Sequence, residues 1–331
     1  MPSESTSSTA AAYDQLKNGV VIVTPGSRDT IRLEGNDRAT FLHSFCTNDI
    51  KVLAAGDMCE AFFCNVQGKT IGHGYVLCRE NDLIVDLPES QASRLLPHLD
   101  RYLIREDVQL HDESGQWQHV IVAGNDARQW VHRHLEACPE RGRHVPFTVV
   151  GLTGIAMSRD WLSADAYTLM VQRTSSQAPS DVFEAFAAVG ELHILEAGVE
   201  LFEVLRVEQA TPLFGRDISD DNLPQEVDRD AKAISFRKGC YLGQETVARL
   251  DALGHVNRKL CRLVFDTAEL PVPGTALMQG EKQVGTITSA VHSPAYGAIG
   301  LGYVRRECFA AGTLLSSEHG HVRVADRFGS N

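Results

Sequence analysis

No stretch of the chain approaches the ~18 consecutive apolar residues that a membrane-spanning helix needs, so a membrane is not an expected partner. Cysteine pairs are missing too. The eight cysteines, at 46, 59, 64, 78, 138, 240, 261 and 308, never form a Cys-x-x-Cys unit. That excludes a zinc ribbon or a thioredoxin-type centre and predicts reduced thiols in a reducing compartment. Positive charge is in short supply, with 31 Lys and Arg against 43 Asp and Glu and a formal net charge of -12. A polyanion would be repelled over most of such a surface, so nucleic acid is not an expected partner. Residues 1–12 are rich in Ser, Thr and Ala, with no Arg or Lys and no apolar core of a signal peptide. They read as a disordered tail, and the location expected is cytoplasmic. His132 and His134 lie two apart, which on a helix points them in different directions, so no metal site is expected.

At 331 residues, with 43% hydrophobic and 22% charged residues, the chain is too long for one ordinary core and suggests two or three domains. Short apolar runs at Val20–Val23 and Thr30–Leu33 predict strands. Gly35-Asn36-Asp37 then caps a helix from Arg38 to Phe45. The β-rich runs 58–65 and 70–78, joined by Val66-Gln67-Gly68-Lys69, predict a hairpin. A strand at Asp82–Leu87, a helix over Glu89–Tyr102 and a strand at Val108–Leu110 follow. The order then repeats. A strand at Val120–Ala123, a second Gly-Asn-Asp at 124–126, a helix through Leu135, a strand at Tyr167–Gln172 and a helix from Ser180 to Val189 echo the first set. A duplicated unit of 85 to 90 residues is too long for a solenoid period and predicts two packed halves.

Beyond Val199 the pattern changes. A helix over Val199–Val207 leads into a turn-rich segment, Thr211 to Val227, and residues 217–228 hold five acids and no base. Residues 229–259 reverse this, with seven Lys or Arg against three acids, and Cys240 lies inside this basic island. Arg237 and Lys238 precede the thiol and a helical pattern begins near Gly243; nearby cations and a helix N-terminus both lower a thiol pKa. A free cysteine is also commonly a small buried apolar residue, and a charge run is commonly a solvated surface. From Asn257, short alternating strands punctuated by Gly and Pro predict a small antiparallel barrel. The fold class expected is α+β. Its parts are a first half (13–115), a second half with the cysteine segment (116–256, the halves free to exchange strands), and a C-terminal β-barrel (257–328).

Lys238-Gly239-Cys240-Tyr241-Leu242-Gly243-Gln244-Glu245 resembles the signature of the YgfZ-type folate-binding proteins, relatives of the glycine-cleavage T-protein, an aminomethyltransferase. The stretch Phe41 to Asp49, the Asn65-x-x-Gly68-Lys69 hairpin, Leu205-Arg206-Val207-Glu208 with Pro212 and Gly215, and the segment 284–289 are similar to further family patterns. The resemblance covers about residues 16–328. It implies two α/β halves around a central cavity that takes tetrahydrofolate or a reduced derivative, and a role in assembly or repair of iron–sulfur enzymes, which would be transient partners of a monomer. The implied site residues are Cys240 and Lys238 for chemistry, with Lys238 holding a thiolate by charge. Glu208, Asn65, Arg206, Arg237 and Gln244 are implied for folate. A carboxylate at 208 suits the donor-rich pterin edge, and Arg206, Arg237 and Arg249 are available for the anionic tail at the cavity mouth. As read from the residues alone, Glu208 is better taken as a helix-surface acid pairing with a nearby base, and for Asn65 the competing reading is plain turn chemistry.

Two departures stand out. The aminomethyltransferases carry an Asp-Asp pair where this chain has Gly72-His73, which counts against aminomethyl transfer; the family's Glu-Ala-Gly appears as Glu208-Gln209-Ala210. Three functions remain in view: a folate-dependent accessory protein for iron–sulfur enzymes, a one-carbon transferase, and a non-catalytic folate-binding scaffold. No permanently bound cluster is expected, because one cysteine cannot supply the four ligands that such clusters normally take.

Overall fold

The computed structural model describes residues 4–159, 161–162, 166–174, 179–189, 194–267 and 269–329. The chain divides into two compact units, one of Met1–Leu42, Ile50–Glu60 and Gly74–Glu203, the other of His43–Asp49, Ala61–His73 and Val204–Asn331. Helix α1 (Glu4–Gln15) occupies most of the stretch expected as a disordered tail. Ala and Ser favour or tolerate helix, and Ala12 and Tyr13 are buried, which anchors its C-terminal turn.

Strands β1 (Val20–Val23), β2 (Arg28–Glu34), β3 (Met58–Cys64), β4 (Thr70–Cys78), β5 (Asp82–Pro88) and β6 (Gln109–Asp112) are accompanied by helices α2 (Arg38–His43) and α3 (Ala92–Asp100). The next set is β7 (Trp117–Ala123), α4 (Ala127–His134), β8 (Arg143–Val149), β9 (Leu152–Ser158), β10 (Ala166–Gln172), α5 (Pro179–Val189) and β11 (Ile194–Ala197). One sheet runs β3-β4-β5-β2-β6 and the other β8-β9-β10-β7-β1-β11. The two orders match strand for strand except that β1 lies between β7 and β11, antiparallel to the first and parallel to the second. Four consecutive buried apolar residues suit β1 to that interior position.

The repeated Gly-Asn-Asp has a physical reason in each half. Gly35 and Gly124 have φ of 106° and 120°, and a Cβ on them would lie 2.0 Å from Asp107 O and 2.3 Å from Gly19 O. Only glycine fits such a turn. Hairpin β8–β9 was not evident in the sequence because Pro146 interrupts it; β8 is an edge strand, where a residue without an N–H is tolerated. Trp130 and Phe186, with rings edge-on at 5.7 Å, centre the core of the second sheet and its helices.

In the second unit, helix α6 (Val199–Glu208) delivers its last residues, the short helix α7 (Asp230–Ala233) and helix α8 (Gln244–Leu253) follow, and Gly254 in a left-handed conformation ends α8. Strands β12 (Arg258–Asp266), β13 (Ala276–Gln279), β14 (Lys282–Ser293), β15 (Gly297–Arg305), β16 (Leu314–Ser317) and β17 (Gly320–Ala325) close a barrel in the order β12-β15-β14-β13-β16-β17. Closure leaves no sheet edge, and Leu263, Phe265, Leu277, Val284 and Val304 fill the interior. The protein is thus α+β, with two related α/β halves and a C-terminal antiparallel barrel.

Candidate functional site

The segment 236–245 is held against the tip of the β3–β4 hairpin. Gly243, at φ 83°, caps α8, and a Cβ there would lie 2.5 Å from Asn65 O; a Cβ on Gly68 would lie 2.7 Å from Thr246 Cβ. Two glycines therefore let hairpin and helix meet backbone to backbone. Thr246 Oγ1 donates to Gln67 O at 2.9 Å. Below this contact Tyr241 and Val247 join Phe62, Cys64, Phe214 and Ile234 in one apolar cluster. The turn at 46–49 completes the support: Thr47 Oγ1 donates to Ala233 O at 2.6 Å and accepts from Phe62 N at 2.9 Å.

Lys238 belongs to that support. It is buried, and its ammonium donates to the carbonyl oxygens of His43, Cys46 and Asn48, the last two at 2.8 Å. An ammonium has three N–H groups, and these three carbonyls match them in number. In this arrangement Lys238 cages the 43–48 turn. The ammonium also lies 4.8 Å from the centre of the Tyr241 ring, a cation–π contact.

Cys240 differs from the other cysteines. It is exposed, whereas the remaining seven are buried or half-buried. Burial pushes the Cys46 and Cys261 thiols up to about 11 and the Cys64 thiol up to about 12, which keeps them protonated and inert. Arg237 is exposed next to Cys240, and Gln244 opens α8 half-buried.

The expected folate residues fall in different settings. Glu208 ends α6 half-buried, and its Oε1 accepts a hydrogen bond from Ser293 Oγ at 2.5 Å. Arg206 is fully buried, pairing with Asp217 at 2.8 Å and donating to Ser289 Oγ and Thr211 O. It locks the α6 end to β14 and is not the exposed cation expected at a cavity mouth. Asn65 Oδ1 accepts from the backbone N–H groups of Gln67 and Lys69 at 2.9 and 3.0 Å, which is turn chemistry. His73, where the related transferases have a carboxylate, stacks on Phe62 at 4.5 Å between ring centres.

A further polar cluster, in the first unit, was missed. Asp86 on β5 accepts from Arg28 at 2.8 and 2.9 Å, from Arg159 Nη1, and stands 3.2 Å from His119 Nε2. All four are buried. Burial alone would raise the Asp86 pKa, but Arg28 and Arg159 outweigh it and hold the carboxyl well below the usual range. Burial lowers the pKa of His119. The Arg159 guanidinium lies 3.9 Å from the centre of the Trp161 ring, and among the described residues neither Arg159 Nη2 nor Trp161 Nε1 has a hydrogen-bond partner. With His119 neutral the cluster carries one excess positive charge, and it presents unspent donors beside an aromatic face. The available signal was Asp86 amid Leu83, Ile84, Val85 and Leu87, a charge where the pattern calls for an apolar residue.

The family profile of the GCVT N-terminal domain matches residues 3–237, and that of the glycine cleavage T-protein C-terminal barrel domain matches residues 258–327. The chain belongs to the glycine cleavage T-protein family. A chloroplastic protein of Arabidopsis thaliana described as a transferase is 27% identical, covering 92% of this chain and 70% of that protein. The aminomethyltransferase of Bacillus subtilis is 23% identical, with 87% and 80% covered. A protein of Colwellia psychrerythraea called tRNA-modifying protein YgfZ is 23% identical, with 77% and 74% covered. The solved glycine cleavage aminomethyltransferase T from Bartonella henselae superposes with a TM-score of 0.84 at 15% identity, covering 97% of this chain and 90% of that one, a likeness of fold. Among the described residues no helix is long and apolar enough to cross a membrane, and no group of three or more His, Cys, Asp or Glu could hold a metal ion.

Proposed function

We propose that the protein binds tetrahydrofolate, or a reduced derivative of it, and supports the assembly or repair of iron–sulfur enzymes through the thiol of Cys240. The observation that carries this reading is the contrast among the cysteines: one exposed thiol on a rigidly supported loop, the others withdrawn. The chemistry of the site residues suits the ligand. A half-buried carboxylate at Glu208 accepts the paired donors of a pterin edge, and Arg237 stands exposed for an anionic tail. Cys240 supplies a nucleophile accessible to a folate adduct or a client protein. In a strain deleted for this protein, the wild-type chain and Cys138→Ala should restore iron–sulfur enzyme activity and Cys240→Ala should not. Full restoration by a folded Cys240→Ala would remove the thiol from the function.

The second reading is a one-carbon transferase, as the names of several relatives suggest. That chemistry calls for an acid or base at the reacting folate nitrogen, and Gly72-His73 provides no carboxylate there. Turnover of tetrahydrofolate to a methylene derivative with an aminomethyl donor would establish it.

A further inference from the structure

One cavity of the second unit, of about 310 Å³, lies against the outside of the barrel between β12 and the segment that contains α7. Its walls carry four cationic side chains, Arg229, Lys232, Lys259 and Arg262, against two carboxylates, Asp228 and Asp326. In a protein of net charge -12 that concentration is unusual. The cations are not simply spread over a solvated surface. Arg229 is buried, and Arg262, on a barrel strand, donates to the backbone oxygen of Asp326 at 3.1 Å. Lys259 is 3.3 Å from Asp228, which neutralises one of each sign. The pKa of Arg262 is lowered, chiefly by burial and in part by Arg229, although Asp228 opposes this; two guanidinium groups therefore repel each other across the site.

The backbone around the cavity is unusual as well. Among the described residues four non-glycine positions have a left-handed φ, and two of them, Ala210 at 50° and Asp228 at 61°, line this cavity. Ala210 follows the end of α6, where glycine ordinarily takes this conformation without cost. Here a side chain bears the strain, and strained positions that persist gather at sites where geometry matters.

We propose that this cavity is a binding site for a small oxyanion group with two negative charges, a phosphate or a dicarboxylate. Guanidinium groups bind both through paired N–H donors, and the volume falls at the lower end of small-ligand sites. A bound dianion would relieve the repulsion between Arg229 and Arg262 and bridge α7 to the barrel. This rests on the cavity and its charges and stands apart from the folate reading.

The test is differential scanning of the full-length chain in rising inorganic phosphate, in parallel with glutarate, and with sodium chloride at matched ionic strength. A saturable rise in the unfolding temperature with phosphate or glutarate, beyond that with chloride, is expected. Phosphate alone identifies a phosphate site and glutarate alone a carboxylate site. Arg262→Gln and Lys232→Gln should each weaken the apparent affinity roughly tenfold, the worth of one charge-assisted contact. Lys17→Gln, an exposed cation of the first unit paired with Asp14, should leave it unchanged. Neither anion exceeding chloride, or equal shifts in wild type and both cavity variants, would overturn the proposal. Because Lys232 is exposed, its variant keeps the test decisive even if Arg262→Gln fails to fold.

Discussion

The cluster around Asp86 and the segment around Cys240 both bring charged or reactive side chains together, and they do so in opposite ways. Around Asp86, residues from 28 to 159 meet in a buried network whose charges answer one another directly. Around Cys240 the neighbours in sequence part company in space: Lys238 turns inward to three carbonyl groups, and Cys240 faces solvent. Proximity in sequence did not amount to chemical partnership, and distance in sequence did not prevent it. The motif reads best as a rigid mount with one exposed thiol.

Perturbing the two regions should separate them. The largest effect is expected from Asp86→Ala, which strands two buried guanidinium groups; loss of one partner of a buried ion pair costs about 3–5 kcal/mol. Urea unfolding followed by tryptophan fluorescence would report it, since all three tryptophans (117, 130 and 161) lie in the same unit as Asp86. Next comes Lys238→Met, which leaves three turn carbonyls without their donor and should cost about 2–3 kcal/mol, somewhat less than Asp86→Ala because the lysine's own buried charge goes with it. Calorimetric unfolding would show it. If Lys238→Met left stability unchanged but altered thiol reactivity, the cage would not be its main role.

The pH response should be smaller, and histidines of the first unit should dominate the loss of stability on acidification; Asp230 of the second unit, whose carboxyl is pushed up to about 6 chiefly by burial, acts in the opposite sense. His119 has a folded pKa below 6.5 because it is buried. Below pH ~6.5 the unfolded chain therefore takes up a proton that the folded chain refuses, and stability falls with pH by up to about 1.4 kcal/mol per unit until the folded value is passed. His144, lowered chiefly by burial, contributes with the same sign. Asp86 acts at lower pH: its contribution is complete above the unfolded carboxylate value of about 3.9 and is lost only as pH drops through the lower folded value. Between pH 7.5 and 5.5, His119→Gln should flatten the stability profile, and an unchanged slope would show that His119 is not the titrating group. The smallest stability effect belongs to Cys240→Ala, within about 0.5 kcal/mol as for an exposed residue. The same substitution should abolish the fastest phase of thiol labelling of the native protein, and persistence of that phase would point to another cysteine.

Much of the architecture was legible because it is local. The repeated Gly-Asn-Asp turns, the Asn65–Lys69 hairpin bend and the closely spaced barrel strands each follow from chain geometry over a few residues. The strands that escaped notice did so for tertiary reasons. Pro146 is acceptable only because β8 is an edge. Strand β1 was legible as a strand, but its place in a sheet whose other strands begin beyond residue 116 depends on tertiary packing. The site was legible in part. Cys240 could be singled out, but the partners of Lys238 lie about 190 residues away, and the burial of Arg206 depends on Asp217 and on a barrel strand formed near residue 289. Ala210 shows the converse: where the related pattern has glycine, the chain keeps a left-handed backbone at φ 50° despite the added methyl group.

Calorimetric titration of tetrahydrofolate into the purified chain under anaerobic conditions tests the central claim most directly. Saturable binding is expected in the wild type and in Cys240→Ala, weakened roughly tenfold or more in Glu208→Ala by loss of a charge-assisted pair of hydrogen bonds. Absence of saturable binding in the folded wild-type protein would contradict the folate reading, and equal affinity in Glu208→Ala would move the pterin contact away from that carboxylate.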